Sequence, residues 1–211
     1  MRDESVGILA IQGDFAAHIR ALAPLGISAV EVRTATDLEH VDALIIPGGE
    51  STTMLKFLDE ERLAEPIKEM ARREKPLFGT CAGAILLARQ VVNPDQSSLG
   101  LIDIEVERNA YGRQVDSFIG EAQTTLEGGP LEAVFIRAPR IIGRGPGVEV
   151  LARIDQECVL AREGNILVAT FHPELARDER VHQYFVEMVR QPRRAAPPSE
   201  HSRPKSSGGR P

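Results

Sequence analysis

A chain of 211 residues that is 42% hydrophobic can bury a sizeable core and fits one α/β domain with a short extension. No apolar run approaches the roughly 18 residues of a membrane span. The opening MRDESVGILAIQG has acids where a signal peptide has bases, so the expectation is a soluble, cytoplasmic protein. From Gln191 the chain reads QPRRAAPPSEHSRPKSSGGRP, with five prolines and five basic residues against one acid. That composition predicts a folded domain over 1–190 and a disordered tail over 191–211. Without the tail, 20 of the 25 basic and 30 of the 31 acidic residues remain, about −10, the wrong sign for a general nucleic-acid surface.

In chain order, VGILAI at 6–11, SAVEV at 28–32, DALIIP at 42–47 and KPLFG at 75–79 have the length and continuity of strands buried on both faces. Asp14 is placed to cap a helix running to Leu25, with Gly26 as its stop. STTMLKFLDEERLAEPIKEMARRE supplies helical material that Pro66 should interrupt. The order strand, helix, strand, strand, helix, strand implies a mostly parallel sheet flanked by helices in three layers. After Leu99 the texture changes to IDIEVE, QVDSFIG, AVFIRA, VEVLARI, CVLARE and ILVATF, which read as additional antiparallel or mixed strands on the same core. DERVHQYFVEMVR closes the domain as a helix.

Cys81 sits between Gly79 and Gly83 in KPLFGTCAGAIL, where a strand gives way to the helix AGAILLARQ. That is the arrangement of a nucleophile elbow: a strained turn exposes the nucleophile, and the glycines let neighbouring segments pack close. The helix start also aims amides and the positive dipole end at the sulfur, which favours a thiolate. A base is offered by ILVATFHPE, where His172 follows a strand, Pro173 turns the chain out and Glu174 can orient the ring. His18, His40, His182 and His201 read as ordinary surface or packing residues. In IIPGGESTTM two glycines follow a strand, so backbone amides can approach a ligand as an oxyanion hole, completed by the amide of Ala82. The plainer reading is a turn with Ser51 or Thr52 as helix cap. Cys158 lies 77 positions from Cys81, so the two form neither a disulfide framework nor a metal-ligand spacing.

GILAIQGDFAAH, PGGESTTM, FGTCAGAILLA, VERNAYGRQVDSF, FIRAP and ATFHPE together resemble the triad-type class I glutamine amidotransferases. Within these they resemble the PdxT family, the glutaminase subunits of pyridoxal 5′-phosphate synthase. The elbow and HPE belong to the wider class, whereas GGEST and RNAYGRQ select this branch. The resemblance, over roughly residues 6–190, implies a flavodoxin-like fold and hydrolysis of L-glutamine to glutamate and ammonia, passed to a separate synthase subunit for vitamin B6 synthesis. It implies Cys81 as nucleophile, His172 as proton shuttle and Glu174 as orienter. Oxyanion stabilisation falls to Gly48 and Gly49, and glutamine binding to Gly49, Glu50, Ser51, Arg108, Ile136 and Arg137. Gln12 is a secondary residue near the oxyanion region and the synthase contact. No metal or organic cofactor is called for. The family also implies activation when the synthase docks, with twelve glutaminases on a twelve-subunit core. Three rivals remain at this stage: the glutaminase of another route such as the histidine pathway, a thiol hydrolase without an ammonia acceptor, and a non-catalytic subunit on the same scaffold.

Overall fold

The computed structural model describes residues 4–108 and 117–191. The tail beyond Gln191 and residues 109–116, which hold all of the RNAYGRQ motif except Arg108, lie outside the described residues. The first strands fall where the apolar runs are: β1 Ser5–Leu9, β2 Ser28–Val32, β3 Ala43–Ile46 and β4 Leu77–Thr80. β12, Ile166–Ala169, joins them, giving a parallel order β2-β1-β3-β4-β12. That order is the flavodoxin-like one, whose ligand crevice lies beyond the carboxyl ends of the strands at the point where the order reverses.

The continuous apolar runs of β1, β3 and β4 are explained by two cores; β2, which the sequence suggested would be buried on both faces, is instead the edge strand of the sheet and buries only Val32. Along β3, Ala43 and Ile45 pack on one face while Leu44 and Ile46 pack on the other, as the period of two requires. On the first face lie α1, Phe15–Leu22, and α6, Arg180–Arg190, contributing Leu22, Val181 and Phe185. On the second lie α2, Ala35–Glu39, α3, Ser51–Glu60, α4, Ala64–Arg72, and α5, Ala82–Leu87, contributing Leu38, Met54, Ile67 and Leu86 among others.

Beyond β12 the sheet continues antiparallel through β11, Glu157–Glu163, β10, Glu149–Ile154, β7, Ser117–Thr124, and β8, Leu131–Ile136. A branch carries β5, Ala88–Val92, β6, Ile102–Glu107, and β9, Arg140–Arg144. The three-layer α/β architecture with added mixed strands is therefore as the sequence implied.

Several boundaries differ from the sequence reading. Asp14 does cap α1, its carboxylate accepting from the Ala17 amide. The helix then tightens into a 3₁₀ turn over Ala23–Leu25, and Gly26 ends it with φ 72°. The break in the next helical stretch falls before Pro66, at 61–63, where Arg62 has φ 53°. Pro66 sits in the first turn of α4, where its missing N–H costs no helical bond. α2 was not anticipated; Thr34 and Asp37 start it with a capping box. α5 is shorter than AGAILLARQ because the chain turns at Ala88 into β5, whose partner is β6.

The elbow glycines have a steric cause. A side chain on Gly83 would overlap the carbonyl of Ile46 at the end of β3, and one on Gly79 would meet the Gly83 backbone. Gly83→Ala is expected to lower stability by about 1–3 kcal/mol through this overpacking. The check is a lower urea midpoint at unchanged slope; an unchanged midpoint would mean that α5 does not depend on the close approach.

Candidate active site

Strand ends bring the sequence-predicted residues to one place. Gln12 follows β1, Gly48 and Gly49 follow β3, Cys81 follows β4 and His172 follows β12. The β12–β4 pairing matches Ala169 with Thr80, so both strands end level, and the Cys81 amide donates to the Ala169 carbonyl at 2.8 Å. These ends open on a cavity of about 570 Å³. Its walls include Gln12, Gly48, Gly49, Glu50, Ser51, Cys81, Ala82, Arg108, Ile136, Arg137 and His172. Glu174 is not at the wall; its side chain is fully buried behind His172.

Cys81 is the residue before α5 and holds φ 48° and ψ −103°, a conformation that costs a non-glycine residue about 1–3 kcal/mol. The strain turns the thiol toward the cavity, where Sγ lies 3.9 Å from the Ile136 carbonyl. His172 is anchored by its amide, which donates to the Val134 carbonyl on β8 at 2.8 Å. Its Nδ1 lies 2.7 Å from Glu174 Oε1. Burial alone would lower the basicity of this imidazole, but interactions with Cys81 and then with Glu174 outweigh it and raise the pKa well above the ordinary value. An imidazole so placed can hold a proton beside a sulfur anion, which is what an activated thiol needs.

Gly48 is pressed between these groups, since a side chain there would run into the His172 ring and approach Cys81 Cβ. The next residues form a braced loop. Gln12 Oε1 accepts from the Glu50 amide at 3.3 Å, and Ser51 and Thr52 hydroxyls donate to Gln96 Oε1 at 3.0 and 3.4 Å. Gln96 was not singled out in the sequence, where it lies in an uninformative loop.

The cap of α3 is Glu50 rather than Ser51 or Thr52. Its carboxylate accepts from the amides of Thr52 and Thr53 at 3.1 and 2.7 Å. Arg108 Nη2 reaches Glu50 Oε1 at 3.3 Å and Thr52 Oγ1 at 3.0 Å, so this arginine sits at the cavity edge already paired. Arg137, at φ 44°, also lines the cavity and is exposed.

Of the surface and packing readings of His18 and His182, the structure takes the packing one. Both are fully buried, and His18 approaches Glu174. A signal was present: His18 stands four residues before Leu22 on the buried stripe of α1, and His182 lies among buried Val181 and Phe185 of α6.

The Glu50 cap carries a pH signature. Burial opposes its ionisation, yet the Thr53 hydroxyl and amide and the Thr52 amide hold its carboxyl at about 2, below the ordinary 4.5. A depressed folded-state value gives stability that is complete above the unfolded value and lost as pH falls toward about 2. With half of the side chain exposed, the contribution is about 1 kcal/mol or less. Wild type should therefore lose more stability than Glu50→Gln between about pH 5 and about pH 3, read from urea midpoints. Equal losses would remove Glu50 as a charged cap.

Comparison with known proteins follows the same lines. The family model for SNO glutamine amidotransferases matches residues 8–191. The chain is 54% identical over 185 residues to the pyridoxal 5′-phosphate synthase subunit PdxT of Koribacter versatilis, covering 88% of this chain and 95% of that protein. It is 50% identical over 189 residues to the same subunit of Fervidobacterium nodosum, covering 90% and 99%. Among solved structures, the crystal structure of a glutamine amidotransferase superposes with a TM-score of 0.83 at 48% identity, covering 88% of this chain and 99% of that one.

Proposed function

For a chain that belongs to the SNO glutamine amidotransferase family, we propose that it is the glutaminase subunit of a pyridoxal 5′-phosphate synthase, hydrolysing L-glutamine and handing the ammonia to a synthase subunit. The observation that carries the site assignment is the convergence of Cys81, His172 and the GGES loop on one cavity, with Glu174 held against His172 from behind.

The chemistry follows from that arrangement. The Cys81 sulfur attacks the side-chain amide carbon of glutamine, and the carbonyl electrons move to oxygen. Amides of Gly48, Gly49 and Ala82 are assigned to that oxyanion, Ala82 being the first residue of α5, whose N–H has no partner within a helix. His172 gives its proton to the departing nitrogen, ammonia leaves, and a thioester remains. The same imidazole, now neutral, takes a proton from water as the water attacks the thioester. Glutamate then leaves and the Cys81–His172 pair is restored. Glu174 keeps the ring in one tautomer throughout.

Glu50, Ser51, Arg108, Ile136 and Arg137 are assigned to the substrate. Arg137 is the exposed guanidinium available to a carboxylate, and the Ile136 carbonyl is an acceptor beside the sulfur. Gln12 is assigned to bracing the loop through Glu50 and, secondarily, to the synthase contact. Released ammonia is protonated in open water and loses its nucleophilicity, so delivery within a complex is the chemically sensible arrangement. A ring of twelve glutaminases around a twelve-subunit synthase belongs to this proposal, as does a cytoplasmic location, which suits two free thiols. Among the described residues no helix is long and apolar enough to cross a membrane.

Ammonia release from L-glutamine should require both Cys81 and the synthase subunit. With the synthase present, Cys81→Ala should show no turnover, and His172→Asn should fall by about 10²–10⁴-fold. Pyridoxal 5′-phosphate should form from glutamine only with the wild-type chain. Turnover by Cys81→Ala equal to wild type would overturn the triad. Ammonia release without any vitamin product would keep the glutaminase and reject this partner.

A further inference from the structure

The acid of the triad has a second oxygen, and the structure shows what faces it. Glu174 Oε1 is taken by His172, while Oε2 is fully enclosed and makes no well-aligned hydrogen bond. His18 Nε2 lies 3.4 Å from it, on a ring that is itself fully buried. The same nitrogen lies 3.3 Å from Oγ1 of Thr80, the residue before Cys81. On its other side, His18 Nδ1 lies 3.0 Å from His182 Nε2. We propose that His18 is a positioning residue for the triad, a neutral imidazole whose Nε2–H donates to Glu174 Oε2 and fixes the carboxylate that orients His172.

The tautomer follows from counting donors. A carboxylate accepts only, so a proton must lie on His18 Nε2, and a neutral ring then accepts at Nδ1. His182 supplies that bond from Nε2–H, which leaves its own Nδ1 as a lone pair. Nδ1 of His182 is buried and without a partner, as this assignment requires. The opposite assignment would aim the His18 lone pair at the carboxylate and bury an N–H of His182 with no acceptor, the costlier arrangement. Burial, then His182, then His172 lower the His18 pKa well below its ordinary value, and burial lowers that of His182, so both rings stay neutral. Phe78 on β4 holds His18 edge-on, with ring centroids 6.3 Å apart at 83°. The chain His182, His18, Glu174, His172 thus links α6 and α1 to the cavity.

This inference rests on the glutaminase reading, and the test separates the two. Complete chains carrying His18→Leu or His18→Gln would be assayed with the synthase subunit against wild type. The leucine variant should lose about 10- to 100-fold in kcat with KM for glutamine changed less than about threefold. The glutamine variant, whose amide can donate from the place of Nε2–H, should recover most of the loss. A folded leucine variant within about twofold of wild-type kcat would overturn the role, as would a glutamine variant no better than leucine. If His18→Leu does not fold, nitrogen-15 spectra of the wild-type imidazoles decide. A neutral His18 protonated at Nε2 supports the proposal; a cation, the Nδ1–H tautomer, or a proton residing on Glu174 instead overturns it. Absence of glutamine turnover by wild type would count against the glutaminase reading, and the spectra would still report on His18.

Discussion

The parallel pairing of β12 with β4 is the constraint on which the site depends. Two strands far apart in sequence end level because Ala169 pairs with Thr80, and the Cys81 amide extends the ladder by one bond to Ala169. A slip of one residue would turn the side chains to the other face and part Cys81 from His172. The register is held from both sides: Leu167 and Ala169 face the core under α1 and α6, while Ile166 and Val168 face the core under α2–α5. The relative placement of Cys81 and His172 is therefore fixed by sheet burial, which is how a site keeps the sub-ångström tolerances that chemistry needs.

The strain at Cys81 is affordable only in that setting. Positive φ at a non-glycine residue persists where neighbours over-determine it. Here β4 is fully buried on one side of the residue, and α5 is fully buried on the other. The close fit of Gly83 under the Ile46 carbonyl locks α5 to β3, and the same strand delivers Gly48 and Gly49 to the cavity. Cys81 and the Gly48–Gly49 loop are thus two ends of one packing contact.

Much of this was legible in the sequence because local pattern and tertiary role agreed. β1, β3 and β4 are buried on both faces and show it as unbroken apolar runs, whereas β2 is an edge strand that buries only Val32. The elbow and HPE carry their glycines and proline where backbone geometry demands them. The misses share a cause, which is that long-range packing decided them. α2 has five residues and buries Leu38 alone, too short for a period to show. β5 is read as helix because the composition of ILLARQ favours one, yet pairing with β6 ends α5 at Leu87. β9, with Ile141 and Ile142 between arginines and a glycine, has no local strand signature beyond two residues. Glu50 was read as a substrate contact, and only the structure shows that its carboxylate also caps α3.

The buried histidines illustrate the same limit at the level of single side chains. His18 and His182 are 164 positions apart, and nothing near either one in sequence announces the other. What a sequence does offer is the anomaly of a titratable ring on a buried stripe, and such a ring must have its nitrogens satisfied or bear the cost. Here His18 Nε2 faces Glu174 Oε2 at 3.4 Å, so α1, which looks like scaffold, ends in contact with Glu174. The polar chain crosses an otherwise apolar core beside Phe78, whose ring meets both His18 and His182, and there a missing partner is more costly than at the surface. Packing on this face of the sheet and orientation of His172 are consequently one problem, solved by the same few side chains.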